Sequence, residues 1–185
     1  MKKTTNSFMP PIVLAIVCAV CCALLAFANS ITKDKIAAAE NAAVQESLSS
    51  LPNAGTFEEI TDFNKPKLEK VKITALYKDE NNQTAVLVTA DGYNKGGIQA
   101  AVGIDKNGEV TGISFVSVTE TPGLGTKIQS NPELMADKFK GISNIDAANA
   151  LDGITGATFS SKGLKNAIKC ALQTFELNKE AILNE

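Results

Sequence analysis

Arginine and histidine are both absent from this chain of 185 residues, and all 18 of its cationic side chains are lysines. Without arginine, the chain lacks the planar bidentate donor that proteins commonly use to clamp phosphate or nucleic acid. All 20 acidic residues, but only 16 of the lysines, follow the N-terminal apolar segment, which gives that part a formal charge of −4. This balance argues against nucleic acid as a partner.

Cysteine is scarce as well. Cys18, Cys21 and Cys22 lie inside the apolar segment, and Cys170 lies near the C-terminus. The first three have the spacing of a metal or redox motif, but in so apolar a segment we expect small hydrophobic side chains that pack against other helices. Cys170 has no potential disulfide partner outside that segment. With no histidine and no spaced cysteine or acidic cluster there, the sequence predicts no transition-metal site.

The longest feature of the sequence is an uncharged run over residues 8–28. A helix of this length spans the roughly 30 Å hydrocarbon core of a bilayer. Lys2 and Lys3 precede the run, whereas the lysines that follow it are offset by neighbouring acids. The positive-inside bias therefore predicts a single-pass cell-membrane protein with a cytoplasmic N-terminus and an extracytoplasmic domain.

A cleaved signal peptide is the alternative interpretation of the same run. Ala26-Phe27-Ala28 has the A-x-A form of a cleavage site. The run is longer than the apolar core of a signal peptide, which favours a retained anchor. A lipoprotein signal is disfavoured because Val20, rather than a small residue, precedes Cys21.

Composition divides the chain into three predicted parts: a membrane anchor over residues 1–29, a helical stalk and connector over 30–69, and a globular domain over 70–185. Residues 30–50 are rich in alanine and contain no proline or glycine, which predicts a helix. Proline and glycine within residues 51–55 end that helix. Residues 56–69 are interpreted as a connector.

Four strand-like segments follow, each bounded by turn residues: Val71–Lys78, Thr84–Thr89, Ile98–Asp105 and Glu109–Val118. The first alternates through Val71, Ile73, Ala75 and Tyr77. Because short hairpin-like links join consecutive segments, the sequence predicts a mainly antiparallel sheet flanked by helices, in the α+β class.

Two helices are predicted after the strands. Ser130-Asn131-Pro132-Glu133 has the cap, first-turn proline and early acid of a helix start, and this short helix is expected to end near Gly141. The second begins after a glycine-punctuated turn that delivers Thr158, with Ser160 or Ser161 as its predicted cap. Its apolar positions recur at helical spacing at Leu164, Ala167, Ile168, Ala171, Leu172 and Phe175. Unpaired N–H groups and the helix dipole would suit a phosphate beside Thr158.

The turn Asp152-Gly153-Ile154-Thr155-Gly156-Ala157-Thr158 resembles the flavinylation motif of FMN-carrying subunits in Rnf complexes and in sodium-pumping NADH:quinone reductases. A second segment, Glu120-Thr121-Pro122-Gly123-Leu124-Gly125, resembles the loop that this family places against the isoalloxazine ring. The two motifs follow in the family's order, and the similarity is greatest to the G subunit family of Rnf complexes. It covers the N-terminal helix and about residues 85–176.

The resemblance implies that Thr158 carries FMN through a phosphoester bond made by a dedicated flavin transferase. It implies cofactor-binding roles for Asp152, Gly153, Thr155, Gly156, Ala157, Thr121, Gly123, Leu124 and Gly125. FMN supplies the redox chemistry, so no catalytic residue and no metal are expected of the protein itself. One departure is Val118, which stands where relatives often have a histidine, so any role of that histidine is not carried over.

The function implied is that of an electron-relaying subunit, not catalytic alone, in a membrane complex that moves electrons between ferredoxin and NAD and translocates Na⁺ or H⁺. The other Rnf subunits would be its partners. Alternatives are the C subunit of the quinone-reducing complex, which tends to be longer, a pilin-like structural subunit, and an exported binding domain without redox function. A pilin would usually have a glutamate early in its apolar helix, and residues 8–28 contain none.

Overall fold

A computed structural model of the chain describes residues 9–66 and 68–183. Lys2 and Lys3, on which the predicted membrane orientation depends, lie outside the described residues. The chain divides into two compact units, Met1–Ala42 and Ala43–Glu185. The predicted part boundaries after residues 29 and 69 stay predictions.

Helix α1 runs over Met9–Ser49 and supplies the described part of the first unit. It is long and apolar enough to cross a membrane, by length and composition. The helix predicted for the alanine-rich residues is confirmed, as the continuation of the apolar helix. It ends where predicted: Pro52 follows, and Asn53 has a φ of 58° in the left-handed region.

The second unit contains a five-stranded sheet: β1 Phe57–Ile60, β2 Val71–Asp79, β3 Thr84–Ala90, β4 Ile98–Ile104 and β5 Val110–Val118. Each strand pairs antiparallel with the next in the chain. The α+β prediction and its antiparallel sheet are confirmed. Strand β1 lies inside the predicted connector, and its short sequence Phe-Glu-Glu-Ile lacks the alternation that marks a strand.

The alternation predicted along β2 is interrupted. The register with β3 shifts between Ile73 and Ala75, so the faces exchange at that point. Leu76 therefore joins Ile73 in the main core, whereas Ala75 and Tyr77 face the other way. One irregular position is enough to move the following side chains across the sheet.

The two faces of the sheet are covered differently. Helix α4, Thr158–Leu183, packs against β2, β3 and β4, and its six predicted apolar positions are at most 4% exposed, which confirms that prediction. On the opposite face, Leu48 and Leu51 pack with the small side chains Ala75, Ala85 and Ala101.

The segment between β5 and α4 differs from the prediction. It contains α2 Lys127–Ser130, two 3-10 turns at Pro132–Leu134 and Ala136–Phe139, and α3 Ile145–Ala150. The single helix predicted from Ser130 to Gly141 is wrong because Met135, with φ −150°, separates the two turns. Met135 and Phe139 are both fully buried, so core packing overrides helix propensity here.

Candidate functional site

The turn that carries Thr158 is built by its own backbone. The Ala157 N–H donates to the Ile154 carbonyl at 3.0 Å, and Gly156 has a φ of 82°, which favours glycine. The Ser161 N–H then donates to the Ala157 carbonyl at 2.9 Å, the first helical bond of α4. Ala157 therefore occupies the N-cap position, and the exposed Thr158 is the first residue of the helix.

An alanine at the N-cap offers no side-chain acceptor to the first turn. Within residues 9–66 and 68–183, no backbone carbonyl accepts from the N–H groups of Thr158, Phe159 or Ser160. These donors and the positive end of a 26-residue helix lie together beside the Thr158 hydroxyl. The arrangement suits an anionic group such as a phosphate.

The two serines predicted as caps lie inside α4, because the helix begins before them at Thr158. The Ser161 hydroxyl accepts from the Ile154 N–H at 2.9 Å, and the Ser160 hydroxyl donates to the Glu120 carboxylate. Both serines are only 2% exposed. They tie the turn and a neighbouring loop to the helix instead of capping it.

A cavity of about 380 Å³ adjoins the turn; it is lined by Gly153, Ile154, Thr155, Gly156, Thr158, Ser161, Lys162 and Lys165. Lys165 Nζ donates to the Asn149 carbonyl at 3.0 Å and to the Leu151 carbonyl, so it holds the chain that enters the turn. Lys162 is exposed and supplies positive charge. Neither lysine was predicted from the sequence, although the spacing of Thr158, Lys162 and Lys165 places them on one helical face.

The loop after β5 reaches the same place. Leu124 Cδ2 lies 3.7 Å from the point that a Cβ on Gly156 would occupy, so the structure brings the two motif segments together. The Thr121 carbonyl accepts from the N–H groups of Leu124 and Thr126 at 3.2 and 3.3 Å. Gly123 has a φ of 71°, and no heavy atom outside its immediate neighbours lies within 4 Å of the position that a Cβ there would take.

Most of the predicted cofactor-binding residues are exposed around this site: Asp152, Gly153, Thr155, Gly156, Thr158, Thr121, Gly123 and Leu124. Two are not. Ala157 is 5% exposed and its side chain belongs to the main core, so it does not line the space around Thr158. Gly125 is buried, and a Cβ there would lie 2.7 Å from the Glu120 Cβ. Its lack of a side chain serves internal packing, and FMN contact by any of these residues stays a prediction.

Three apolar side chains are exposed in the segments that meet here: Tyr93 at 70%, Phe159 at 63% and Leu124 at 47%. The rings of Tyr93 and Phe159 meet edge to face, with centroids 6.2 Å apart. Neither aromatic residue was predicted from the sequence. Phe159 directly follows Thr158, so a planar apolar group attached there would find an aromatic surface within reach.

A larger groove of about 850 Å³ lies elsewhere, along β1 and the end of α4. Its lining includes Glu58, Asp62 and Glu80, and no residue of either motif. Such an acidic surface would repel a phosphate. The smaller cavity beside Thr158 is therefore the candidate site.

The fold and two family models together define a class of protein that has an N-terminal apolar helix, which fits a membrane anchor, and an FMN-binding domain. Residues 92–173 match the family model of the FMN-binding domain, and residues 11–51 match that of the RnfG N-terminal region.

Similar proteins identify the family within this class. The G subunit of an ion-translocating oxidoreductase complex from Vibrio vulnificus (strain YJ016) is 30% identical over 93% of this chain and 90% of its own length. The G subunit of a Na(+)-translocating ferredoxin:NAD(+) oxidoreductase complex from Acetobacterium woodii is 25% identical over 89% of each chain. The chain belongs to the family of G subunits of ion-translocating oxidoreductase complexes.

A third relative has a higher sequence identity over a shorter alignment. The G subunit from Shewanella piezotolerans is 35% identical over 107 residues, which are 52% of this chain and 50% of that relative. In this alignment the chain spans about half the length of the relative. The family membership supports neither the pilin-like nor the exported-binding alternative. Each of these three relatives is named as one subunit of a larger complex.

Proposed function

We propose that this protein is a membrane-anchored flavoprotein subunit that carries FMN on the Thr158 side chain. It relays electrons within an Rnf-type ferredoxin:NAD oxidoreductase that translocates Na⁺ or H⁺, and its FMN domain is extracytoplasmic. The observation that carries the proposal is the exposed Thr158 hydroxyl at an uncapped helix start, within the part of the chain that matches the FMN-binding domain.

The chain's own residues suit the cofactor. The free N–H groups of the first turn of α4 and the Lys162 ammonium would hold the phosphate, and the exposed side chains of Tyr93, Leu124 and Phe159 would cover part of the ring. When bound, FMN accepts and donates one or two electrons. A covalent link keeps the cofactor from being lost to the surrounding space.

The resemblance of residues 152–158 to a flavinylation motif supports maturation by a partner enzyme. We infer that a flavin transferase forms the bond between Thr158 Oγ and the phosphorus of a flavin donor. The hydroxyl proton is lost, and the donor's P–O bond breaks with departure of its leaving group. The protein gains the mass of FMN less one water.

The choice of Thr158 over its neighbours is supported by burial. Ser160 and Ser161 are each 2% exposed and their hydroxyl groups are already engaged with Glu120 and Ile154. Thr155 is exposed but lies in the turn before the helix and not in its first turn. Thr158 combines exposure with the anion-binding end of the helix.

The test is intact-protein mass spectrometry of the full chain produced beside its transferase. Thr158→Val keeps the shape of the side chain but removes the oxygen, so attachment should be abolished while the fold is kept; exposed substitutions typically change stability by about 0.5 kcal/mol or less. Thr155→Val changes a neighbouring threonine of the same motif and should leave at least some FMN attached. If Thr158→Val keeps its flavin, the attachment site is wrong; if the wild-type chain never gains the mass, the covalent proposal fails.

A further inference from the structure

Glu120 opens the loop that approaches Gly156, yet its side chain points inward and is only 4% exposed. A buried carboxylate is costly unless it is fully hydrogen-bonded or paired with a cation. In the described part of the chain it makes no ion pair with a lysine. Its charge is instead compensated by hydrogen bonds from two separate segments.

Three donors converge on this carboxylate. The Tyr93 N–H donates to Oε2 at 2.9 Å, the Asn94 N–H donates to Oε1 at 3.1 Å, and the Ser160 hydroxyl also donates to Oε2. Tyr93 and Asn94 belong to the loop between β3 and β4, whereas Ser160 is in the first turn of α4. Glu120 therefore joins three segments that are distant in sequence.

Glycines make room for the carboxylate. A Cβ on Gly92 would lie 2.7 Å from its carboxyl carbon, and a Cβ on Gly97 would overlap Oε1. Gly125 leaves space on the other side, beside the Glu120 Cβ and Ser160. Glycine at each of these places lets the backbone close around the charged group.

We propose that Glu120 is a positioning residue for flavin attachment and for the environment of the ring. Its carboxylate fixes the first turn of α4, which carries Thr158 and Phe159, against the loop that carries Tyr93. The hydroxyl and the two aromatic rings thereby keep one mutual orientation. This inference rests on the proposed function, since it concerns the same site.

The hydrogen-bond pattern explains why a carboxylate is needed. Each oxygen accepts from a backbone N–H, so both positions must be acceptors. In Glu120→Gln one position becomes an NH₂ group that faces an N–H donor, whichever way the amide turns. One partly buried backbone donor then loses its partner.

Asp79 offers a matched control. It is a second buried carboxylate, 2% exposed, and accepts from the N–H groups of Gly55, Asn81 and Gln83 at 3.1, 2.9 and 2.7 Å. It lies at the end of β2, and neither motif takes part in its bonds. Asp79→Asn tests the general effect of neutralising such a group.

The experiment compares the wild type, Glu120→Gln, Ser160→Ala and Asp79→Asn as full chains in detergent. The rate of FMN attachment by the transferase should fall about tenfold or more in Glu120→Gln, and less in Ser160→Ala, which keeps both backbone bonds. The visible circular dichroism of the attached flavin should change in both Glu120→Gln and Ser160→Ala. Asp79→Asn should lower the urea midpoint but leave the attachment rate and the flavin dichroism as in the wild type.

A second measurement works without flavin. Amide hydrogen exchange in the flavin-free chains should accelerate at Tyr93, Asn94 and Ser161, whose N–H groups are hydrogen-bonded, in Glu120→Gln and not in Asp79→Asn. Unchanged exchange there overturns the proposal, whether or not Thr158 is ever modified. A folded Glu120→Gln with wild-type attachment rate and dichroism overturns it too. If Glu120→Gln does not fold, Ser160→Ala decides by exchange at Ser161 and by the dichroism of the attached flavin.

Discussion

At the scale of single residues, Cys170 shows what burial does to a reactive group. The side chain is fully buried on α4, and desolvation raises the pKa of its thiol from 9.0 to about 11. The thiolate is the reactive form, so it is rare in the native protein at neutral pH. We expect alkylation of Cys170 to be far slower in the native chain than in urea, as followed by peptide mass spectrometry. Equal rates in both conditions would contradict the burial.

The raised pKa of the Cys170 thiol also predicts how the stability of the fold depends on pH. Because its pKa is higher in the folded state, the folded protein binds more protons than the unfolded one at alkaline pH. The contribution of the protonated thiol to stability is fully present below about pH 9 and is lost as the pH rises towards about 11. Urea midpoints measured across this range should fall less in Cys170→Ser than in the wild type. An identical pH profile in both proteins would contradict this.

Tyr93 gives a second prediction at this scale. Its exposed ring is in edge-to-face contact with Phe159, the neighbour of the proposed attachment residue. Tyr93→Ala removes the ring but keeps the N–H that donates to Glu120, so FMN should still be attached while its visible circular dichroism changes. Tyr77→Phe, on β2, is the control and should leave the flavin spectrum unaltered. A wild-type spectrum in Tyr93→Ala would show that the ring of Tyr93 does not contact the flavin.

The residues of the site were predictable to different degrees. Thr158 and its turn stand out because glycine, threonine and the following apolar periodicity are local signals. Glu120 and Tyr93 carry no local signal for their positions. The burial of Glu120 depends on donors at Tyr93, Asn94 and Ser160, which only the folded chain brings together.

At the scale of elements, Gly163 sets how closely α4 approaches the loop after β3. In most helix interiors alanine is more favourable than glycine by up to about 1 kcal/mol. A Cβ on Gly163 would, however, lie 2.6 Å from the Asp91 carbonyl oxygen and 2.9 Å from Ile98 Cδ1. We therefore expect Gly163→Ala to destabilise the domain by about 1–3 kcal/mol.

The expected change in stability is opposite in sign to the change that helix propensity alone predicts. Urea unfolding should give a lower midpoint for Gly163→Ala. Asn166→Ala, at a partly exposed position of the same helix, is the control and should change stability by about 0.5 kcal/mol or less. A raised midpoint in Gly163→Ala would mean that α4 does not pack closely against residue 91.

Elements were predicted well where a local pattern decides their structure. The apolar face of α4 and the hairpins of the sheet follow from periodicity and turn residues. The shift in β2 and the 3-10 turns around Met135 arise from packing against other elements, which a local pattern does not contain. Helix α3 was not predicted, although the sequence contains a local signal for its start. The Asn144 side chain caps this helix by accepting from the Ala147 N–H at 2.8 Å.

At the scale of the whole molecule, one chain combines an apolar helix with an FMN-binding unit. The helix is long enough to span a bilayer, and the domain has its own core and site. Length and charge predict the helix and its orientation from sequence alone, because both depend on the chain's interaction with the membrane. The side of the membrane on which the FMN domain lies stays a prediction.

That side is testable with an introduced cysteine. Lys106 is exposed in the turn between β4 and β5, and Cys170 is buried, so Lys106→Cys in a chain with Cys18, Cys21 and Cys22 replaced by alanine has one reactive thiol. Because Lys2 and Lys3 favour a cytoplasmic N-terminus, a membrane-impermeant maleimide should label this protein on intact spheroplasts. The parent without Lys106→Cys is the control and should stay unlabelled. Labelling only after lysis would show that the orientation is the opposite of the predicted one. A mature protein that begins at Asn29 would show that the apolar helix is removed as a signal peptide.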